Sequence, residues 1–258
     1  MATSIFSLKK EMVEICRRIY ERGYVAANDG NVSARMDNGR FLMTPTGMSK
    51  GFLQPSDLVV VDEDGNKVAG TRKASSEAKM HLTIYKERPD INAVAHAHPP
   101  TATGFAVAGI PLTKCVLPEV IISVGSIPIA EYAAPGTQQL ADVVTNYLSR
   151  YDAVLLENHG AITVGNSITN AHFKLETMEH FAKIMFVAHQ LGNVKALKGQ
   201  DVADLVEQRK KYGIRPDAPV CESDECQVTT AVNNKDEVKD VSNEFVEQIT
   251  KQVIKKLK

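Results

Sequence analysis

Residues 91–100 read "INAVAHAHPP". The alternating apolar run has the length and composition of a strand, and the two prolines stop it, because proline cannot donate to a sheet ladder. In an extended strand residues i and i+2 share a face, so His96 and His98 are expected to point the same way from stiff backbone. Two imidazoles held like this suit a divalent metal. Histidines satisfied by backbone or water inside a core give the same local pattern, so the assignment needs further donors. A catalytic zinc site takes three protein ligands and keeps one position for water or substrate, whereas a structural site takes four.

Working outward, a helix is predicted over residues 76–86, just before this strand. Further back, "DGNVSARMDNGRFLMTPTG" (29–47) carries two strand-like runs around the turn signal Asn38-Gly39. The same design recurs in "LVVVDEDGNKVAG" (58–70) around Asp64-Gly65. A first helix is marked by Leu8, Met12, Ile15, Cys16, Ile19 and Tyr20 at helical spacing, with Ser7 as the expected cap and Gly23 after the last turn. On the other side come an alternating stretch at 119–130, a helix at 137–149, the apolar run and turn "AVLLENHGAITVG" (153–165), and a long helix at 168–191. Antiparallel strand pairs interleaved with helices predict an α/β fold, helices covering a mostly antiparallel sheet.

The chain of 258 residues, 43% of them hydrophobic, can bury a large core without covalent staples. Thirty basic residues against thirty-one acidic ones leave a net charge of −1, which excludes an electrostatic case for nucleic acid or an anionic membrane. There is no apolar run of the roughly 18 residues that a bilayer span needs, and "MATSIFSLKKEMVEI" lacks the pattern of a secretory signal, so a cytoplasmic protein is expected. Cys16, Cys115, Cys221 and Cys226 do not form a disulfide framework. Cys221 and Cys226 lack a neighbouring histidine or CxxC and make a poor metal site.

A third histidine, His159 in "ENHG", follows the run "AVLL", where Asn158 and Gly160 let the chain turn sharply. The remaining histidines, His81, His172, His180 and His189, fall on helical patterns and are expected on solvated faces; His172 with Glu176 and Glu179 is a weaker second cluster. In "ASSEAKMHL" (74–82) two hydroxyls stand at a helix start, followed by Glu77. Hydroxyls there cap the helix, but the same amides and hydroxyls also accommodate an anion. "GNVSAR" and "TPTG" offer similar chemistry through Gly30, Asn31, Thr46 and Gly47. Three such segments point to a phosphoester ligand.

Taken in order, "GNVSAR", "TPTG", "SSE", "HAHPP" and "ENHG" resemble the class II aldolase/adducin family over residues 8–215, in particular its zinc-dependent aldolases of the fuculose-phosphate type. The resemblance implies a single α/β/α domain with a central, mostly antiparallel sheet, assembled as a homotetramer with active sites between subunits. It further implies one Zn2+ per subunit on His96, His98 and His159, with Glu77 as acid/base and as a further ligand before substrate arrives. Asn31, Thr46, Gly47, Ser75 and Ser76 would bind the substrate phosphate. Tyr212, in "KKYGIR", would reach a neighbouring subunit's site. A second tyrosine of the aldolases has no counterpart in "GIPLTKCVLPEV"; Glu119 lies near its place. The implied reaction is cleavage of a deoxyhexulose 1-phosphate, L-fuculose or L-rhamnulose 1-phosphate, to dihydroxyacetone phosphate and lactaldehyde. L-ribulose-5-phosphate 4-epimerase and a non-catalytic, adducin-like scaffold are the alternatives within the family.

Composition changes after the catalytic domain at 1–216. Residues 217–240 are rich in polar residues and read as a flexible linker. Residues 241–258 read as an amphipathic helix with Phe245, Ile249, Val253 and Leu257 four apart. Such a helix is marginal alone and needs a docking surface. It resembles the encapsulation peptides of bacterial microcompartment enzymes, which implies a shell protein or co-cargo as partner and the microcompartment lumen as location.

Overall fold

The strand that carries the histidine pair lies at the centre of a sheet. In the computed structural model, which describes residues 4–215 and 217–221, the strands are β1 (Asn31–Arg35), β2 (Phe41–Met43), β3 (Val59–Val61), β4 (Lys67–Ala69), β5 (Ala93–Ala97), β6 (Ile129–Ala130), β7 (Ala153–Leu156) and β8 (Gly160–Gly165). They form one sheet in the order β4-β3-β2-β1-β5-β8-β7-β6. Every pairing is antiparallel except β6 with β7. Exposed β4 ends the sheet with a lysine, which discourages edge-to-edge pairing.

Alternation along β5 sorts the layers. Ala93, Ala95 and Ala97 pack on one face with α1 (Ile5–Glu21), α3 (Pro100–Val107), α4 (Pro118–Ser123) and α6 (Ile168–Gln190). Their small side chains let the helices approach closely. Val94 packs on the other face with α2 (Ala78–Glu87) and α5 (Gln138–Leu148), and His96, two residues on, shares that face. The last helix is α7 (Gly199–Lys211). This is the expected α/β/α architecture.

Several local expectations change. The cap of α1 is Ser4, whose hydroxyl accepts from the Ser7 amide, so the helix starts earlier than Ser7. The alternating stretch 119–130 is not one strand: Pro118 at the first helical position and Glu119 beside it start α4, and only Ile129–Ala130 is extended. His81 and His172 are buried, not solvated, while His180 and His189 are exposed. Cys115 and Cys221 are joined as a disulfide, their Cα atoms 5.6 Å apart, which removes Cys221 from any pairing with Cys226.

That link is part of a wider contact. Residues 217–221, read as the start of the linker, pack on the body: Ala218 is buried, Ser126 donates its amide to the Pro219 carbonyl at 2.9 Å, and Val220 lies against Cys115. The amphipathic segment 241–258 lies outside the described residues.

Candidate metal centre and substrate cradle

The histidines reach one point from three backbone contexts. His96 sits in β5 and places Nδ1 3.0 Å from the Ala161 carbonyl of neighbouring β8. A carbonyl only accepts, so Nδ1 carries the proton and Nε2 presents its lone pair. His98 lies one residue beyond β5, its amide bonded to the Tyr24 carbonyl at 2.8 Å. Its Nδ1 stands 2.9 Å from Asp29 Oδ2, which likewise leaves Nε2 as the free donor atom. His159 closes the turn between β7 and β8, where Asn158 adopts the left-handed φ of 52°. Gly160 is required for space: a Cβ there would lie 2.5 Å from His98 Cδ2 and 2.7 Å from the Ala97 carbonyl oxygen.

Glu77 caps the N-terminus of α2 and turns its carboxylate towards these rings. His96 Nε2 is 3.2 Å from His98 Nε2 and 3.3 Å from Glu77 Oε2, and His159 Nε2 is 3.6 Å from Glu77 Oε1. Ligand atoms about 2.0–2.1 Å from a tetrahedral zinc stand about 3.3 Å from one another. The observed separations are those of such a tetrahedron's edges. Nitrogen atoms of all three histidines fall within 4.8 Å of each other. Glu77 Oε1 and His159 Nδ1 are buried and lack a hydrogen-bond partner among the described residues. The donor set fits a divalent metal, with Glu77 as an available fourth ligand.

The electrostatics agree. Burial pushes the His96 imidazole down to about 3, only partly opposed by Glu77, and burial lowers His159 as well. Both rings are therefore neutral at physiological pH, the form that binds metal. Burial alone would raise the Glu77 carboxyl, but the proton it would take is shared with the adjoining His96 and His159 rings and its oxygen accepts the Asn31 amide, so it lies below the usual range.

Beside this centre the other segments meet. An isolated bridge joins Pro45 to Ala74; the Thr46 amide donates to the Lys73 carbonyl at 3.1 Å and the Ser75 amide to the Thr44 carbonyl at 3.1 Å. Thr46 and Gly47 are thereby held alongside Ser75 and Ser76. Gly47 has φ 71°, a conformation that favours glycine. Ser75 Oγ accepts the Glu77 amide at 3.2 Å, while Ser76 is exposed. Asn31 is engaged differently from a simple phosphate donor: its Nδ2 donates to Glu77 Oε2 at 2.7 Å and its buried Oδ1 is without a hydrogen-bond partner among the described residues.

The family described as Class II Aldolase and Adducin N-terminal domain matches residues 10–186. The chain belongs to the class II aldolase and adducin family. An L-fuculose phosphate aldolase of Methanococcus maripaludis is 39% identical over 181 residues, 70% of this chain and 97% of its own. A 3-oxo-tetronate 4-phosphate decarboxylase of Haemophilus influenzae is 34% identical over 210 residues, 78% of this chain and 97% of its own. The solved structure of an L-fuculose 1-phosphate aldolase superposes with a TM-score of 0.74 at 33% identity, covering 81% of this chain and 98% of that one. The protein is thus a class II aldolase superfamily enzyme, similar to fuculose-phosphate aldolases. Among the described residues no helix is long and apolar enough to cross a membrane.

For this aldolase-family chain, one sequence-predicted residue stays apart. Tyr212 caps the C-terminus of α7, is 69% exposed, and lines a cavity with Arg88, Asp152 and Arg215. Asp152 immediately precedes β7, whereas His159 follows it, so Tyr212 stands at the opposite end of the sheet from the histidines. Glu119 lines a surface cleft with Arg22 and Glu176.

Three supporting residues were not legible in the sequence. Asp29 is hidden inside a turn signal. Lys50, 2% exposed, donates Nζ to the carbonyls of Asn28 at 2.9 Å and Met48 at 2.7 Å. Glu179, fully buried, accepts the amides of Thr101 and Ala102 at the start of α3, just after His98. Asp29 with His98, Lys50 with Asn28 and Glu179 with the start of α3 each act across a long sequence gap, and no spacing rule marks them.

Proposed function

We propose that this enzyme cleaves a deoxyhexulose 1-phosphate, L-fuculose or L-rhamnulose 1-phosphate, to dihydroxyacetone phosphate and lactaldehyde. The observation that supports it is the convergence of the three histidines, with the His96 and His159 Nε2 atoms facing the carboxylate of Glu77 and the His98 Nε2 atom 3.2 Å from that of His96. In this reading His96, His98 and His159 hold one Zn2+ per subunit, joined by Glu77 before substrate binds. The ion supplies Lewis acidity towards the negative charge that develops when the carbon–carbon bond breaks.

The protein's own groups do the rest. Glu77, kept ionised by its neighbours and fixed by Asn31, moves a proton to or from the substrate carbon next to the carbonyl. Thr46, Gly47, Ser75 and Ser76, with Asn31 adjoining, hold the phosphate and so fix that carbon near the carboxylate. Because Tyr212 lies at the far end of its own sheet, it serves a neighbouring subunit's site in a homotetramer. The catalytic domain takes 1–216 together with residues 217–221, which pack on it, the linker runs from there to 240, and the segment 241–258 docks the enzyme as microcompartment cargo.

A second reading is decarboxylation of a 3-oxo acid phosphate, favoured by the longer match to the Haemophilus influenzae decarboxylase. It needs the same machinery, since loss of CO2 also leaves charge beside a carbonyl. Zinc-loaded protein given fuculose 1-phosphate, rhamnulose 1-phosphate, ribulose 5-phosphate and 3-oxo-tetronate 4-phosphate separates the readings. Dihydroxyacetone phosphate from either deoxyhexulose phosphate supports the aldolase; CO2 release or xylulose 5-phosphate alone replaces it. Deleting 241–258 should leave activity intact and abolish association with shell proteins; retained association would remove the cargo role.

A further inference from the structure

We infer that Asp29 is a positioning residue of the metal centre and its link to the phosphate cradle. Of the three histidines, only His98 has a carboxylate on its outer nitrogen among the described residues: His96 uses a backbone carbonyl, and His159 Nδ1 has no hydrogen-bond partner. A carboxylate at 2.9 Å fixes the tautomer and the ring plane and makes Nε2 a stronger donor. Without it, no other acceptor among the described residues holds the His98 ring, 27% exposed in its side chain, in the ligating tautomer.

The carboxylate is itself held on both sides. Asp29 Oδ1 accepts the Ala26 amide at 2.6 Å, closing a tight loop in which Ala27 takes φ 43°. The next residue, Gly30, has φ 68°, and a Cβ there would meet Val25 Cγ1 at 2.6 Å and the His96 carbonyl oxygen at 3.0 Å. The residue before Asp29, Asn28, is tied by its carbonyl to buried Lys50, whose ammonium also grips the Met48 carbonyl. Met48 directly follows Gly47 of the cradle. A rigid path therefore runs from Gly47 through Lys50 and Asn28 to Asp29 and on to His98. Taking 46–47 as the anion cradle, which rests on the function proposed above, occupancy of the cradle tightens metal binding, and metal tightens anion binding by the same factor.

The test uses Co2+ alone as the metal probe, its affinity read by competition with a chromophoric chelator and its site by the visible spectrum, with and without inorganic phosphate. Phosphate binding to the full-length protein is measured separately by calorimetry. Asp29→Asn should bind Co2+ about 10- to 100-fold more weakly with a changed spectrum, while its apo melting temperature and circular dichroism match the wild type; Asp29→Glu should recover part of the loss. Phosphate should tighten Co2+ binding in the wild type and have no such effect in Asp29→Asn or in Lys50→Met. Wild-type Co2+ affinity and spectrum in Asp29→Asn would overturn the positioning role. Phosphate that binds without altering Co2+ affinity would overturn the link, whereas phosphate that does not bind at all would instead defeat the cradle reading.

Discussion

Asn31 and His96 are directly opposed across the antiparallel ladder of β1 and β5. The same asparagine donates its amide to Glu77, so one register brings a candidate metal ligand, the proposed acid/base and its tether to one face of the sheet. A slip of one residue would send His96 into the opposite helical layer. Asn31→Ala is therefore expected to retain the metal yet lower kcat about 100-fold, the low end of what general acid–base catalysis contributes. Metal analysis together with steady-state kinetics checks this; a large loss of metal would mean that Asn31 acts on the ligands instead.

His96→Ala removes the candidate ligand in β5 and its bond to Ala161. Metal content should fall to near zero, and activity by about a thousandfold, equivalent to about 4 kcal/mol of lost stabilisation. Chelation of the wild type should reproduce the loss, and re-addition of Zn2+ should restore the wild type but not the variant.

Glu179 replaces a helix cap that Pro99 cannot provide, because α3 starts on prolines and has no side-chain cap of its own. Its buried carboxylate receives the Ala102 amide at 2.8 Å. Glu179→Ala should cost about 2 kcal/mol, as for a charge-assisted bond lost in a buried setting. A urea midpoint moved down at unchanged m-value is the expected signature, and metal affinity should weaken as well, since α3 begins two residues after His98.

Asp152 is buried and receives Lys174 at 2.7 Å, Arg88 at 3.1 Å and Arg215 at 3.3 Å. Burial raises its carboxyl pKa, but Lys174 and Arg88 overcome this and set it below the usual value. A depressed native pKa means that this stability is fully present above the unfolded value of about 3.9 and is lost as pH falls below it towards the native value. Asp152→Asn should destabilise the fold by about 3 kcal/mol at neutral pH, by stranding buried cations, and should flatten the decline of melting temperature as pH falls below about 4. Melting curves across that range test both effects.

The strand at 93–97, the two hairpins and the helices at 5–21, 138–148 and 168–190 were legible because alternation and helical spacing report which face is buried, a property of neighbouring residues. The three histidines and Glu77 were legible for a related reason: they sit at strand and helix ends marked by glycine, proline and serine. Local patterning misread 119–130, where Pro118 starts a helix, and it placed His81 and His172 on water although neighbouring elements cover them.

What the amino-acid order determined by itself is thus the layered α/β architecture and the candidate set of His96, His98, His159 and Glu77, since each strand, helix and turn that carries them is marked by its own local pattern. Tertiary structure alone decided that Asp29 orients His98, that Lys50 ties Asn28 to Met48, that Glu179 caps a helix 77 residues before it, and that Tyr212 faces away from its own histidines. A hydrogen bond across the fold depends on where two distant backbones arrive, and periodicity along one of them carries no record of the other.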